Sequence, residues 1–101
     1  MKILAIEREL EVVSPERFTP ELGKMEARRV WELQQAGTLR EIYFRTDEPS
    51  AVLILECADV DEARRTLESL PLVAAGLIRF DVLPLAAYPG FARLFDPSVW
   101  S

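Results

Sequence analysis

The sequence contains no histidine and only one cysteine, Cys57, among its 101 residues. Without histidine the chain cannot form a Ser-His-Asp triad, a Cys-His pair, or a metal or haem site with histidine ligands. A single cysteine excludes a disulfide within the chain, and structural zinc would need a cluster of Cys and His. Cys57 is therefore predicted to be a small buried hydrophobic residue, not a nucleophile, and no metal site is expected.

Long apolar runs and clustered positive charge are also missing. No stretch approaches the roughly 20 apolar residues of a membrane span. The initial segment MKILAIERE becomes acidic at Glu7, too soon for a signal peptide. The 12 Lys and Arg are scattered among 17 Asp and Glu, with a net charge of −5, whereas binding to nucleic-acid phosphates needs a basic face. The sequence predicts a cytoplasmic protein without nucleic-acid or membrane partners.

The length and the apolar content fit one domain over residues 1–101. Hydrophobic residues make up 50% of the chain, which is enough for a core. A chain this short buries only about two-thirds of its unfolded surface, so burial between copies would add stability.

Two helices carry clear start and stop signals. The first begins at the N-cap Thr19 and stops at Gly37. The second begins at the N-cap Asp59, with Glu62 at capping-box spacing, and ends before Pro71.

Four segments read as strands. Residues 1–9 alternate in polarity, 38–48 are rich in β-branched and aromatic residues, 51–58 are almost entirely apolar, and 77–83 alternate again up to Pro84. The order strand, helix, strand, strand, helix, strand predicts an α+β fold of the ferredoxin-like split βαβ type (βαββαβ). Its four-stranded antiparallel sheet would carry both helices on one face.

Because the third strand is apolar on both sides, we expect a second copy to cover the other face, giving a homodimer.

The segment after the last strand, residues 86–101, is rich in apolar side chains. They are Tyr88, Phe91, Leu94, Phe95 and Trp100. This is too much apolar surface to remain free in water. We expect this C-terminal extension to pack on the partner or over the mouth of a cavity.

An acid and a base interrupt the apolar face of the first helix. At 100° per residue, Glu26 and Arg29 fall within the stripe formed by Leu22, Met25, Val30, Leu33 and Ala36. Charged residues are unusual on a helix face that serves only to pack against the core. In one interpretation they form a half-buried ion pair whose stems snorkel outward. In the other, Glu26 lines a cavity between helix and sheet as a general base, with a pKa raised by burial and lowered by Arg29.

Further candidates for substrate binding lie in the second strand and the tail. Arg40, Ile42 and Phe44 share one strand face, and their apolar content favours that face toward the helices. Arg40 would then bind a substrate carboxylate near the end of the sheet, or simply lie in solvent. Tyr43 would lie on the other face, either against a dimer partner or in a pocket. Tyr88 could reach a pocket mouth or serve only to dock the tail.

Three segments resemble the muconolactone isomerase family: ELQQAGTLREIYF, LESLPL and PLAAYP, within a similarity over residues 20–89. The resemblance implies a ferredoxin-like fold with sheets packed face to face as a dimeric α/β barrel, and often rings of dimers. It also implies proton transfer on an unsaturated lactone without metal or organic cofactor. By alignment back from Gly37, the family's acidic residue falls on Glu26, and a family arginine falls on Arg40.

The chain departs from the family pattern at several positions. Glu41 and Tyr43 replace the usual His and Trp, VAAG follows Leu-Pro-Leu, and the YPGFARLF tail differs. We therefore predict a relative that keeps the scaffold and changes the pocket. Three functions follow: a cofactor-independent isomerase acting on a small lactone or carbonyl compound, a non-catalytic oligomeric module that binds a small ligand, or a cofactor-independent monooxygenase of the same fold.

Overall fold

In the computed structural model, which describes residues 1–10 and 14–99, four antiparallel strands form one sheet in the order β2-β3-β1-β4. The strands are β1 (Lys2–Glu9), β2 (Leu39–Phe44), β3 (Ala51–Glu56) and β4 (Ile78–Leu85). The helices are α1 (Pro20–Gln35), α2 (Val60–Glu68) and the single turn α3 (Pro71–Ala74). This arrangement confirms the ferredoxin-like α+β fold, in which β2 and β3 pair as an antiparallel hairpin.

The core lies between one face of the sheet and the two longer helices. Alternate residues of the central strands point into it, because side chains of a strand alternate between its faces. They meet apolar residues of α1 and α2. The core members that are at most 5% exposed are Ile3, Ala5, Leu33, Leu39, Leu53, Leu55, Cys57, Ala63, Leu67 and Leu70.

Both helix starts are capped as the sequence predicts. The Thr19 hydroxyl accepts a hydrogen bond from the amide of Leu22 at 3.2 Å. Asp59 accepts from the amide of Glu62 at 2.8 Å, and the Glu62 carboxylate reaches back to the amide of Ala58 at 2.6 Å. The bonds from the amides of Leu22 and Glu62 satisfy donors that the first helical turn leaves without a partner.

The Leu-Pro-Leu segment ends one helix and starts another. Pro71 follows the end of α2, as expected, but it is also the first residue of α3, which the sequence analysis did not anticipate. Proline suits this position because the first helical residue needs no amide donor. Gly76 then takes a left-handed conformation, with φ of 73°, and turns the chain into β4.

The sheet face opposite the helices, called here the open face, is apolar at its centre. Its half-buried or exposed apolar residues come from three neighbouring strands: Leu4, Ile6, Val52, Ile54 and Leu83. At one end, Arg8 and Arg79 each donate to Asp81 at 2.7 Å. No helix of the described chain covers this face.

The tail beyond β4 leaves its large side chains in solvent. Phe91 and Phe95 are 66% and 82% exposed, and Tyr88 contacts Phe91 edge-to-face at 5.0 Å between ring centres. The molecule is elongated, 64 × 29 × 22 Å, with a radius of gyration of 17.5 Å against roughly 13 Å for a compact chain of about 100 residues. Trp100, expected to belong to the same apolar surface, lies outside the described residues.

Candidate active site

Glu26 lies half-buried on the side of α1 that faces the sheet. It shares that side with half-buried Leu22 and Val30 and with buried Leu33, as the helical projection predicts. Its Oε1 accepts a hydrogen bond from the amide of Leu72 at 3.0 Å. Leu72 is the second residue of α3, where the amide has no partner within the helix. The Leu-Pro-Leu segment therefore presents a backbone donor to the candidate base.

Burial raises the pKa of the Glu26 carboxyl, and the hydrogen bond from Leu72 offsets part of that rise. The sequence analysis assigned this opposing effect to Arg29, but Arg29 has other partners. Its Nε donates to the Ser69 hydroxyl at 3.0 Å, and its Nη1 lies 3.9 Å from Glu32. The Glu26–Arg29 ion pair is therefore not formed. Met25 also departs from expectation, since it is 58% exposed on α1.

A second carboxylate, Glu7, lies close enough to Glu26 for the two charges to interact. The sequence analysis did not identify it. Glu7 is half-buried on the helix side of β1, and its Oε1 accepts from the amide of Ala51 at 3.2 Å. Burial raises the pKa of Glu7, the Ala51 amide lowers it, and the charges of Glu9 and Glu26 raise it further. The alternation of β1 could have revealed it, because Glu7 lies on the same face of the strand as the buried residues Ile3 and Ala5. Glu7 and Glu26 are called the carboxylate pair below.

Two depressions open near the end of β1 that carries Glu7. The larger, the apolar groove, has a volume of about 440 Å³ and is lined by Glu9, Leu10, Pro15, Phe18 and Leu77. Leu77 donates to the carbonyl of Leu72 at 3.0 Å, and the amide of Leu72 donates to Glu26, but Glu26 itself is not among the residues that line the groove. The smaller, the acidic cavity, has about 240 Å³ and is lined by Glu7, Arg8, Glu9, Glu48, Pro49 and Ser50.

Arg40 lies away from these depressions. Ile42 and Phe44 pair with helix-side positions of β3, as predicted, but the register shifts between Leu39 and Glu41 and leaves Arg40 in a bulge. Its exposed side chain donates to the carbonyl of Gly37 at 2.6 Å. Since an α-helix rises 1.5 Å per residue, this turn lies roughly 15 Å along α1 from Glu26.

Comparison with known proteins identifies the family to which this fold belongs. The family model for muconolactone delta-isomerase matches residues 4–90. The chain belongs to that family. A crystal structure of muconolactone isomerase superposes with a TM-score of 0.72 at 23% identity, covering 88% of this chain and 92% of the other. No curated protein matches the sequence.

A second solved structure has a related fold and a different activity. It is the 5-chloro-2-hydroxyhydroquinone dehydrochlorinase of Burkholderia phenoliruptrix AC1100, in complex with 2,5-dihydroxybenzoquinone. It superposes with a TM-score of 0.68 at 15% identity, covering 89% of this chain and 98% of the other. At such identities the two structures establish the fold of this chain. Its chemistry has to be inferred from its own residues.

The two tyrosines singled out in the sequence lie elsewhere in this member of the muconolactone delta-isomerase family. Tyr43 pairs with Val52 on the open face, and its hydroxyl donates to Glu41 at 2.7 Å, which raises the Tyr43 pKa. Tyr88 follows the end of β4, at the opposite end of β1 from Glu7. Within one chain, neither tyrosine joins the carboxylate pair.

The remaining candidates concern metal binding and Cys57. Within residues 1–10 and 14–99, no three His, Cys, Asp or Glu residues group so as to hold a metal ion. In the same part of the chain, no helix is long and apolar enough to cross a membrane. Cys57 is 4% exposed, and burial raises the pKa of its thiol, which does not favour a nucleophilic thiolate.

The raised pKa values of the carboxylate pair predict how stability depends on pH. Because both folded-state values lie above the ordinary 4.5, the native state binds protons more tightly than the unfolded state. The stability contributed by protonation is present below pH 4.5 and is lost as pH rises through the folded values. Gln at position 26 does not titrate, so E26Q lacks the part of this decrease in stability that the Glu26 carboxyl causes. E26Q should therefore gain stability relative to wild type as pH rises from 4.5.

Urea unfolding followed by circular dichroism between pH 4 and pH 8 measures this difference, with E68Q on the exposed side of α2 as the matched control. A gap between E26Q and wild type that stays constant across this range would contradict the raised Glu26 value.

Proposed function

We propose that the protein is a cofactor-independent proton-transfer enzyme, isomerase-like in its chemistry, which acts on a small lactone or carbonyl compound with Glu26 as the base. The observation that carries this proposal is the half-buried Glu26 carboxylate, which accepts a hydrogen bond from the Leu72 amide. Family membership supports the same reaction class.

The arrangement suits removal of a proton from a carbon next to a carbonyl. The Leu72 amide fixes Oε1, so Oε2 is the oxygen available to the substrate. Burial makes the carboxylate more basic than an exposed one, which improves proton transfer near neutral pH. Proton removal would leave an enolate extended over the double bond. Return of the same proton from Glu26 to a different carbon would shift that double bond and restore the carboxylate.

Arg29 is proposed as a positioning residue. Its guanidinium binds the Ser69 hydroxyl, and Ser69 caps the end of α2 directly before the segment that carries the Leu72 amide. Arg29 thus acts on Glu26 through the α2–α3 connection. Arg40, Tyr43 and Tyr88 remain proposed substrate-binding residues, and since they lie away from Glu26 in one chain, that role requires a second copy.

A direct test is proton exchange in D₂O, observed by NMR on a panel of small unsaturated lactones and β-keto acids. Deuterium incorporation that depends on the protein would support the isomerase proposal and identify the substrate class. Compounds that bind without exchange would favour a non-catalytic ligand-binding module. Oxygen consumption with any compound of the panel would favour a monooxygenase.

We also propose that the protein forms a homodimer through the open face. Its apolar centre would be buried there, and the apolar side chains of residues 86–99 would pack on the second copy. A sheet of this fold with one uncovered apolar face gains stability from such burial.

Replacing Ile54, at the centre of the open face, by Lys should convert the dimer to monomers, because the dimer would bury a charge without a partner. Size-exclusion chromatography with light scattering measures the mass of wild type and I54K. W31K is the matched control, since Trp31 is 60% exposed on the helix side of the molecule. A monomeric wild type, or an I54K protein that remains dimeric, would refute this interface.

A further inference from the structure

The acidic cavity, at the end of β1, offers hydrogen-bond acceptors and negative charge that the protein itself does not use. We infer that this cavity binds a small primary ammonium compound, with Glu7 and Ser50 as the residues that contact the ammonium group. The inference is independent of the proposed function, because it requires no reaction at Glu26.

Ser50 provides an acceptor that lacks a partner. It lines the cavity and is only 5% exposed. Its hydroxyl oxygen is buried and forms no hydrogen bond. Buried hydroxyl groups normally have at least one partner, because an unpaired one loses its bonds to water without replacing them. A hydrogen-bond donor bound in the cavity would satisfy this group.

Glu7 provides a second acceptor beside it. Its Oε1 accepts from the amide of Ala51, the residue that follows Ser50, at 3.2 Å. No group within residues 1–10 and 14–99 donates to its Oε2. An ammonium group carries three donors and no acceptor, so it matches a site that offers only acceptors.

The charges that act on the Glu7 carboxyl are both negative. Burial raises its pKa, and the charges of Glu9 and Glu26 raise it further. The opposing influence is the uncharged Ala51 amide. A cation beside Glu7 would stabilise the ionised carboxylate and would therefore bind favourably.

The arginine that lines the cavity is bound on the other side of the sheet. The Nε of Arg8 donates to Asp81 at 2.7 Å, and Arg79 donates to the same carboxylate at 2.7 Å. Two guanidinium groups against one carboxylate leave this cluster with one positive charge on the open face.

The turn between β2 and β3 carries the opposite excess. Arg45 donates to Asp47 at 2.9 Å and to Glu48 at 2.6 Å, so one guanidinium is shared by two carboxylates. This excess offsets that of the Arg8 cluster. The charges of Glu7 and Glu9 therefore remain without a compensating cation.

The cations of α1 and of the turn before it do not supply one. Lys24, Arg28 and Arg29 line a separate depression together with two acidic residues of α1. Arg17 donates to the carbonyl of Ala75 at 2.8 Å. None of these four is among the groups that shift the pKa of Glu7.

The geometry favours an ammonium ion over a metal ion. No three acidic side chains of the described chain group closely enough to hold a metal. The cavity volume of about 240 Å³ lies below the roughly 300–1,000 Å³ of drug-sized ligand sites. A ligand with few heavy atoms fits this space, with its ammonium group toward Glu7 and Ser50.

Three probes separate charge, hydrogen bonding and shape. Propylammonium chloride carries both the charge and the N–H donors, 1-propanol has the same number of heavy atoms without the charge, and tetramethylammonium has the charge without the donors. Binding to the full chain at pH 7 and low salt is followed by NMR at the amides of Ser50 and Ala51. We expect saturable changes with propylammonium and binding about tenfold weaker for the other two.

Variants of the two contact residues complete the test. E7Q should weaken propylammonium binding about tenfold, since it removes a charged acceptor. E68Q removes the same charge from the exposed side of α2 and should change the affinity by less than about twofold. S50A should weaken binding without lowering stability in urea, because it removes a hydroxyl that has no partner.

Several results would overturn the inference. They are the absence of saturable changes with propylammonium, equal binding of 1-propanol or tetramethylammonium, and displacement of propylammonium by an equal concentration of magnesium chloride. An affinity that falls as much in E68Q as in E7Q would show only diffuse attraction to an acidic protein. If E7Q does not fold, the three probes and S50A decide the question without it.

Discussion

Replacing Glu26 by Gln is expected to lower the rate of proton exchange by about 10²–10⁴-fold, the usual contribution of a positioned general base. The amide keeps the size of the side chain, and its oxygen can still accept from the amide of Leu72. It cannot take a proton from carbon. Deuterium incorporation into the best compound of the panel, compared between wild type and E26Q at equal concentration, measures the effect.

The matched control is E21Q, which removes an exposed carboxylate from the same helix. Its exchange rate should stay close to that of wild type. Far-ultraviolet circular dichroism, which reports the helix content directly, checks that both variants are folded. Equal exchange rates in wild type and E26Q would exclude Glu26 as the base.

Replacing Leu55 by Ala is expected to destabilise the protein by about 2–5 kcal/mol. Leu55 is fully buried in β3, opposite Ile3 on one side and Leu39 on the other, so its loss leaves a cavity at the centre of the core. A domain of this size has a total stability of roughly 5–15 kcal/mol, so the change removes a large share of it. Urea unfolding at fixed pH and protein concentration measures the difference.

M25A provides the comparison, because Met25 is largely exposed on α1 and Ala is a good helix former. Its stability should change by less than about 0.5 kcal/mol. A loss below about 1 kcal/mol for L55A would mean that the core relaxes to fill the space, contrary to the close packing around this strand.

The fold could be predicted because its signals are local. The alternation in β1 and the stop at Gly37 are visible in short windows of sequence, and the caps at Thr19 and Asp59 formed as expected. The bulge that removes Arg40 from the sheet has no such signal, because it depends on the register between two strands. The turn α3 was missed because Pro71 marks a helix stop as readily as a helix start.

The site was predictable only in part, for a related reason. Glu26 stood out as an acid on an apolar stripe, and Glu7 carried the same signal near the end of a strand. The donor that binds Glu26 is a backbone amide, which any residue except proline would provide at position 72. The partner of Arg29 could not be seen in the sequence either, since Ser69 is distant from it along the chain and approaches only when the α2–α3 connection packs against α1.

The central position of β1 affects how the chain acquires its sheet during synthesis. β1 pairs with β3 on one edge and with β4 on the other, and β4 follows it by most of the chain. At about 5–20 residues per second, a ribosome needs roughly 3–15 s to make the intervening segment. During that interval one edge of β1 lacks its partner and can pair with a neighbouring nascent chain. Chaperone demand and aggregation in cells should therefore respond to translation speed between β3 and β4.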